Sequence, residues 1–284
     1  MWHVRLPRDA DYLARCFLDL FTARDIGEEP LVFDEGAPGP AVREALDEIE
    51  APAALLLCRG RRVGFCRREK LDDGPCGDAL EPLAPEVMLD DDARLVDVIL
   101  ALSREPFFLL RGYAGVTGLV HRADLQKPPV RMWLFGFLSI TELRWAWLIE
   151  RTVGDSDEWR RLLSPGRLAM AERLLQERLR AGLRVRLIDC LQFGDRAALM
   201  LKHPLLWERM VYETKGQARQ GIRLLQRLRD HLAHSQDILD ADWPTIVGLA
   251  EATRALFALG ADDDDPEAVR KAIARALVGH GARS

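Results

Sequence analysis

The stretch Gly118-Leu119-Val120-His121-Arg122-Ala123-Asp124-Leu125 repeats the outline of Gly64-Phe65-Cys66-Arg67-Arg68-Glu69-Lys70-Leu71, 54 residues earlier. Both open on Gly, continue with two apolar residues, and share Arg at the fifth position and Leu at the eighth. The same offset lays Phe33 on Val87, Val42 on Val96, Leu46 on Leu100, Pro52 on Pro106, and Leu55-Leu56 on Leu109-Leu110. A fixed period of this length means that one supersecondary unit occurs twice. In each copy an amphipathic helix (Val42, Ala45, Leu46 and Ile49; Val96, Ile99 and Leu100) runs into a Pro-marked turn and an apolar strand (residues 54–58; 107–110). A short turn rich in Arg and Gly follows, then a second strand opening at Val63-Gly64 or Thr117-Gly118. One such unit is too small to bury its own core, and two packed together solve that problem.

The pattern resembles a tandem pair of CBS domains over roughly residues 28–127, with copies at about 28–74 and 82–127. The resemblance implies an α+β pair of β-α-β-β-α repeats that binds an adenosine nucleotide (AMP, ADP or ATP) as a regulatory ligand. In that family an Asp accepts hydrogen bonds from the ribose and a Thr or Ser contacts phosphate. Gly118 and Asp124 match, whereas His121 stands at the hydroxyl position, so the expected nucleotide-binding set is Gly118, His121 and Asp124. In the first copy the same positions hold Arg67 and Lys70, and the acid is missing. His121 and Arg67 would then meet phosphate as donors. An Asp at the start of a helical turn also caps backbone N–H groups without any ligand. A pair that only holds the chain together as a dimer therefore stays open.

Lys127-Pro128-Pro129 marks the end of the repeats, because a residue before proline leaves the helical region and proline donates nothing to a preceding turn. Beyond it the apolar spacing is that of helices. Helices are expected from Met132 to Arg151, from Ser164-Pro165 to Arg180 with Gly182 as the stop, and from Gly194 to Lys202 closed by Pro204. Two more should run from Lys215-Gly216 through Leu232 and onward from Asp242-Trp243-Pro244, with Asp242 as N-cap. The expected organisation is a helical segment over 1–27, the repeats, an all-α bundle over 130–260, and an acidic linker with a C-terminal helix over 261–284.

Within the fourth of these helices lies Arg227-Leu228-Arg229-Asp230-His231-Leu232-Ala233-His234. An Arg, a polar residue, three variable positions and a His resemble the signature of HEPN domains, helical proteins that include metal-independent ribonucleases, many acting as toxins or in anti-phage defence. A second Arg-to-His spacing, Arg275 to His280, carries Ala276 at the polar position and fails. The resemblance implies a HEPN-like domain, with His234 as acid/base, Arg229 as phosphate clamp and Asp230 as the motif's polar residue. No cofactor would be required, and RNA cleavage would yield a 2′,3′-cyclic phosphate and a 5′-hydroxyl. Histidine titrates near neutrality and arginine matches phosphate oxygens, so the residue types suit the task. Five residues of helix turn through about 500°, which leaves Arg229 and His234 far apart around the axis and favours a site shared by two copies of a homodimer. Arg219, Arg223 and Arg227, four residues apart, form a ridge that could track RNA or simply face water. His231 could share a proton with His234 or be exposed. Glu142 could orient the motif or be a surface acid, and the aromatics Trp133, Phe135, Phe137, Trp145 and Trp147 suit a bundle core or dimer interface. The alternative function is a non-catalytic nucleotide-sensing regulator or scaffold whose helical domain binds RNA or a protein partner.

Composition constrains these readings. The chain has 284 residues, 48% hydrophobic and 30% charged, which excludes disordered and collagen-like classes. Its formal charge of −5 divides unevenly: residues 1–127 carry 16 basic and 24 acidic side chains, residues 128–284 carry 24 and 21. RNA would therefore be expected on the second half. An odd cysteine count (Cys16, Cys58, Cys66, Cys76, Cys190), with no C-x-x-C pair and no leader, suggests a reduced cytoplasmic setting. The longest apolar stretch, Met132 to Ile140, is too short for a bilayer and reads as buried helix. No metal site is expected.

Overall fold

In a computed structural model the described residues are 19–154, 157–210, 212–240 and 242–258. They divide between Val130 and Arg131 into two compact units. The first is α+β. Its first repeat consists of β1 (Val32–Asp34), α1 (Gly39–Glu48), β2 (Ala53–Cys58) and β3 (Arg61–Arg67), followed by β4 (Leu80–Glu81). Its second consists of β5 (Met88–Asp90), α2 (Leu95–Leu102), β6 (Phe107–Gly112) and β7 (Gly115–His121). In each, the first strand lies parallel to the second and the second antiparallel to the third.

Two features depart from the expected repeat. The closing helix of each copy is only a 3-10 turn, Arg68–Lys70 and Arg122–Gln126. The offset also changes along the copy. Leu55 faces Val32 while Leu109 faces Met88, so the first strands are related by 56 residues, and Phe33 corresponds to Leu89 where the sliding alignment had paired it with Val87. The helix absorbs the difference, being 10 residues in the first copy and 8 in the second.

The strand period of two explains the two-layer packing. Ala54, Leu56 and Cys66 point to the side covered by Val42 and Leu46 of α1, with Leu71 and Cys76 completing that cluster. Ala53, Leu55 and Phe65 point the other way and pack with Phe107, Leu109, Val116 and Leu119 of the second repeat. Phe65 and Phe107 meet edge to face with centroids 6.0 Å apart, a favoured aromatic geometry. Burial in this core keeps the Cys66 thiol protonated, with its pKa pushed up to about 11.

The edges of the two sheets are completed by reciprocal exchange. The segment before the second repeat supplies β4, whose Glu81 pairs with Phe65 on the first sheet. The segment before the first repeat supplies Glu28, which bridges Leu119 on the second sheet, with N–H···O bonds of 2.9 and 2.8 Å in the two directions. Glycine makes the first approach possible and eases the second. A Cβ on Gly64 would lie 2.2 Å from the Glu81 carbonyl oxygen, and one on Gly118 would lie 3.3 Å from that of Glu28.

The second unit is helical: α3 (Pro128–Val153, beginning in the first unit), α4 (Pro165–Arg180), α5 (Phe193–Lys202), a single turn Pro204–Trp207, α6 (Lys215–Ala233) and α7 (Trp243–Ala258). Pro204 opens that turn as well as ending α5, since proline fits a first helical position. Helix α6 begins with a capping box: Thr214 Oγ1 accepts from the Gln217 N–H at 3.2 Å and the Gln217 side chain accepts from the Thr214 N–H at 3.1 Å. Its buried stripe is Ala218, Ile222, Leu225, Leu228 and Leu232. The aromatics of α3 divide: Trp133 and Trp145 are buried, with Trp145 against Phe193 at 5.0 Å, whereas Phe135 and Trp147 are exposed. Trp147 lies between the guanidinium groups of Arg144 and Arg151 at 4.7 and 5.0 Å. The stretch Met132 to Ile140 is thus helical but only half buried, because an α-helix turns each successive residue by about 100°. No helix among the described residues is long and apolar enough to cross a membrane. Of the expected 1–27 helical segment, the described part holds a 3-10 turn, Ala23–Asp25. Residues 1–18 and the acidic linker with its C-terminal helix lie outside the described residues.

Gly64→Ala is expected to cost about 2 kcal/mol, because backbone must move to admit the methyl group. Gly166→Ala, within α4 and with open space around it, should instead be neutral or stabilising by up to about 1 kcal/mol. Urea unfolding of the two variants beside the parent chain checks both.

Candidate functional site

His121 ends β7 and N-caps the turn Arg122–Gln126. Asp124 Oδ2 accepts the His121 N–H at 2.8 Å, and the carboxyl group is only 3% exposed. Its other oxygen pairs with Lys127 Nζ at 2.6 Å. Lys127 in turn donates to the Ile26 carbonyl at 2.6 Å and pairs with Glu28 at 2.7 Å. His121 Nε2 lies 3.8 Å from Asp124 Oδ2, while its Nδ1 accepts from the Ala123 N–H at 3.4 Å. His121 and Asp124 therefore lie together in one corner of the second repeat, where Asp124 already serves as a cap and a counter-ion, while Gly118 faces Leu110 and the Glu28 carbonyl.

The electrostatics follow from this geometry. The Lys127 hydrogen bond and charge hold the Glu28 carboxyl below its ordinary pKa of 4.5. Burial opposes the charge on Lys127, but Asp124 and Glu28 outweigh it and raise its pKa above the usual 10.5. In the first repeat the corner is inverted in sign. Arg67 and Lys70 both reach Glu81, at 3.0 and 2.9 Å, and Arg67 lies over the rings of Phe65 and Phe107 at 5.6 and 4.9 Å. Burial pushes the Glu81 carboxyl up, and the two cations outweigh that and bring it below the usual range. Lys127 is the residue that sequence reading passed over as a boundary marker. The available signal was its spacing from Asp124, since side chains three apart are eclipsed on a 3-10 turn.

The second candidate region is the C-terminal half of α6. Arg229 bonds Asp230 at 2.9 Å and lies over the Phe193 ring at 5.9 Å. His234 is the exposed C-cap residue, with φ −103° and ψ 13°, and Ser235 turns the chain away with φ +53°. Arg229 and Asp230 thus pair with each other, while His234 stands at the C-cap, five residues after Arg229. Arg219 and Arg223 are exposed. Arg227 is different: its Nε bonds Asp242 Oδ1 at 2.8 Å, and His231 Nδ1 lies 2.6 Å from Asp242 Oδ2. The Asp242 carboxyl is completely buried, while the Arg227 and His231 side chains are 42% and 23% exposed. Asp242 immediately precedes α7, and its carbonyl accepts from the Ile246 N–H at 2.9 Å. Its expected position at the helix start is met, with its carboxylate turned to α6. Glu142 pairs with Arg196 on α5 and not with α6. Among the described residues no group of three His, Cys, Asp or Glu side chains is placed to hold a metal.

No protein-family model matches the chain, and neither does any curated protein. Solved structures do. A CBS-domain protein of unknown function from Thermoplasma acidophilum aligns over 37% of this chain and 67% of its own, with 16% identity and a TM-score of 0.32. A CBS-domain protein from Pyrobaculum aerophilum complexed with AMP aligns over 39% and 96%, with 16% identity and a TM-score of 0.33. A CBS-domain pair/ACT-domain protein from Thermotoga maritima aligns over 42% and 98%, with 13% identity and a TM-score of 0.31.

Replacing Lys127 with Met is expected to destabilise the first unit by about 3 kcal/mol, because it strands a buried carboxylate. The pH dependence has two limbs. Glu28, with a lowered folded-state pKa, contributes at neutral pH and loses that contribution as pH falls below 4.5 through its depressed value. Lys127, with a raised one, contributes up to 10.5 and loses it as pH rises through its folded-state value. Denaturant titrations from pH 3 to pH 8 check the acidic limb, which K127M should flatten.

Proposed function

We propose that residues 28–127 form a CBS-type regulatory pair that senses an adenosine nucleotide, and that the helical unit is its effector, a metal-independent ribonuclease of the HEPN kind. The observation that carries the sensing part is the corner at the end of β7, where His121, Asp124 and Lys127 bring an imidazole, an ammonium donor and an acceptor carboxylate within one turn of chain. Phosphate suits the donors, and a ribose hydroxyl suits the carboxylate. For the ribose to reach Asp124, Lys127 must exchange its 2.6 Å contact with the carboxylate for one with the ligand's phosphate. The first-repeat corner, with Glu81 already saturated by Arg67 and Lys70, offers no equivalent acceptor.

The ribonuclease part is supported by the basic ridge of α6 and by histidines at its C-terminal end. In this reading Arg229 and His234 work only across a homodimer, because one chain holds them on different sides of α6. The same separation favours the second reading, a nucleotide-sensing regulator whose helical unit binds RNA or a protein without cleaving it.

A thermal-shift panel of AMP, ADP and ATP should raise Tm with at least one nucleotide, and Asp124→Ala should abolish the rise. No shift with any of them overturns the sensor. Incubation of the full chain with mixed RNA in EDTA should yield fragments ending in 2′,3′-cyclic phosphate. No cleavage with or without nucleotide overturns the ribonuclease and leaves the regulator.

A further inference from the structure

Arg219, Arg223, Arg227 and His231 follow one another at four-residue intervals along α6. Each step turns about 400°, so the four side chains form one gently drifting line, opposite the buried stripe and ending at its edge. The exposed basic ridge therefore reaches His231 in the last turn, before the C-cap residue His234. At its foot the fully buried Asp242 carboxylate holds both Arg227 and His231.

That arrangement orients the imidazole. An ionised carboxylate can only accept hydrogen bonds, so the His231 nitrogen 2.6 Å from it, Nδ1, carries the proton. The neutral ring then has its lone pair on Nε2, on a side chain that is 23% exposed. A carboxylate that orients one ring nitrogen and stabilises the imidazolium leaves the other poised to take up a proton. We infer that His231, oriented by Asp242 and placed at the end of the Arg219, Arg223 and Arg227 ridge, is the proton-transfer group of the helical unit, acting on a phosphodiester of RNA that the ridge holds.

The assignment rests on the ribonuclease reading and replaces its histidine. In the step it implies, Nε2 of His231 takes the proton of the 2′-hydroxyl as that oxygen bonds to the adjacent phosphorus. The bond from phosphorus to the 5′-oxygen breaks, and the proton passes from His231 through water to the departing 5′-oxygen. The products are a 2′,3′-cyclic phosphate and a 5′-hydroxyl, with His231 neutral again. Arg227, shared with Asp242, places positive charge one helical turn from the reacting group. The charged groups that face His231 are Arg227 on its own helix, Asp242 before α7, and Arg131 on α3, which donates to the His231 carbonyl at 3.2 Å.

The contacts of Asp242 also fasten α7 to α6, so the test must separate catalysis from stability. The full-length chain and its His231→Gln, Asp242→Asn and His234→Gln variants are assayed on single-stranded RNA in EDTA from pH 5 to pH 9, with Tm measured for each. His231→Gln should lower the rate by about 10² or more, the range attributed to a positioned acid or base. Asp242→Asn should lower kcat more than it changes KM, because the ring loses the carboxylate that orients it. A merely structural Asp242 would lower Tm and leave kcat of the folded variant unchanged, which would overturn its positioning role. Full activity in a folded His231→Gln variant, with loss in His234→Gln, overturns the inference and leaves the ribonuclease reading standing. An inactive parent chain overturns both.

Discussion

The first unit depends on two backbone crossings, one of which leaves no room for a side chain and the other little. At Gly64 the carbonyl of Glu81 comes so near that a methyl group would sit 2.2 Å from it, and at Gly118 the segment through Glu28 crosses less closely, its carbonyl oxygen 3.3 Å from where a Cβ would lie. Each crossing completes the edge of one sheet with chain that leads into the other repeat. An unpaired sheet edge is a row of unsatisfied donors and acceptors. The exchange removes part of that row on both sheets and makes each repeat a condition for the other. The apolar face of Ala53, Leu55 and Phe65 needs Phe107, Leu109 and Leu119 opposite it for the same reason.

Charge placement at the two corners follows from that exchange. The segments that cross at the glycines bring Glu81 to the first repeat and Glu28 to the second, so each corner must receive a carboxylate. The first answers with Arg67 and Lys70 from the end of β3 and its turn. The second keeps Asp124 as a cap and brings in Lys127 to hold both acids. The pseudo-symmetry of the backbone is thus preserved while the chemistry of the corners diverges. Lys127 lies one residue before α3.

In the helical unit the equivalent constraint is the buried Asp242 carboxylate. A desolvated charge is tolerated only when paired and hydrogen-bonded. Arg227 and His231 provide both, and in doing so tie the start of α7 to the end of α6. Arg229 has a different environment, beside Asp230 and the Phe193 ring. A motif read along the helix joins Arg229 to His234, whereas the packed structure joins Arg227 to His231 through a residue 11 positions further on.

Periodicity in the sequence is sufficient to determine the repeat, the first helix and the hairpin of each copy, the change to a helical second half, and the starts of α4, α6 and α7 near Pro165, Lys215 and Trp243. These features are local: strand alternation, helical spacing, proline, and caps such as Thr214 act within a few residues. The two-residue shortening of α2 and the 3-10 closing turns were not legible, because a sliding alignment assumes a constant offset. Nor was the use of Asp124, since the type of residue that accepts a ribose hydroxyl is also the type that caps a turn and pairs with Lys127. Tertiary structure alone decided which carboxylate meets which cation and which of two histidines is oriented. Those pairings depend on segments distant in sequence, Glu28 beside Lys127 and Asp242 beside His231, being brought together when their apolar faces are buried.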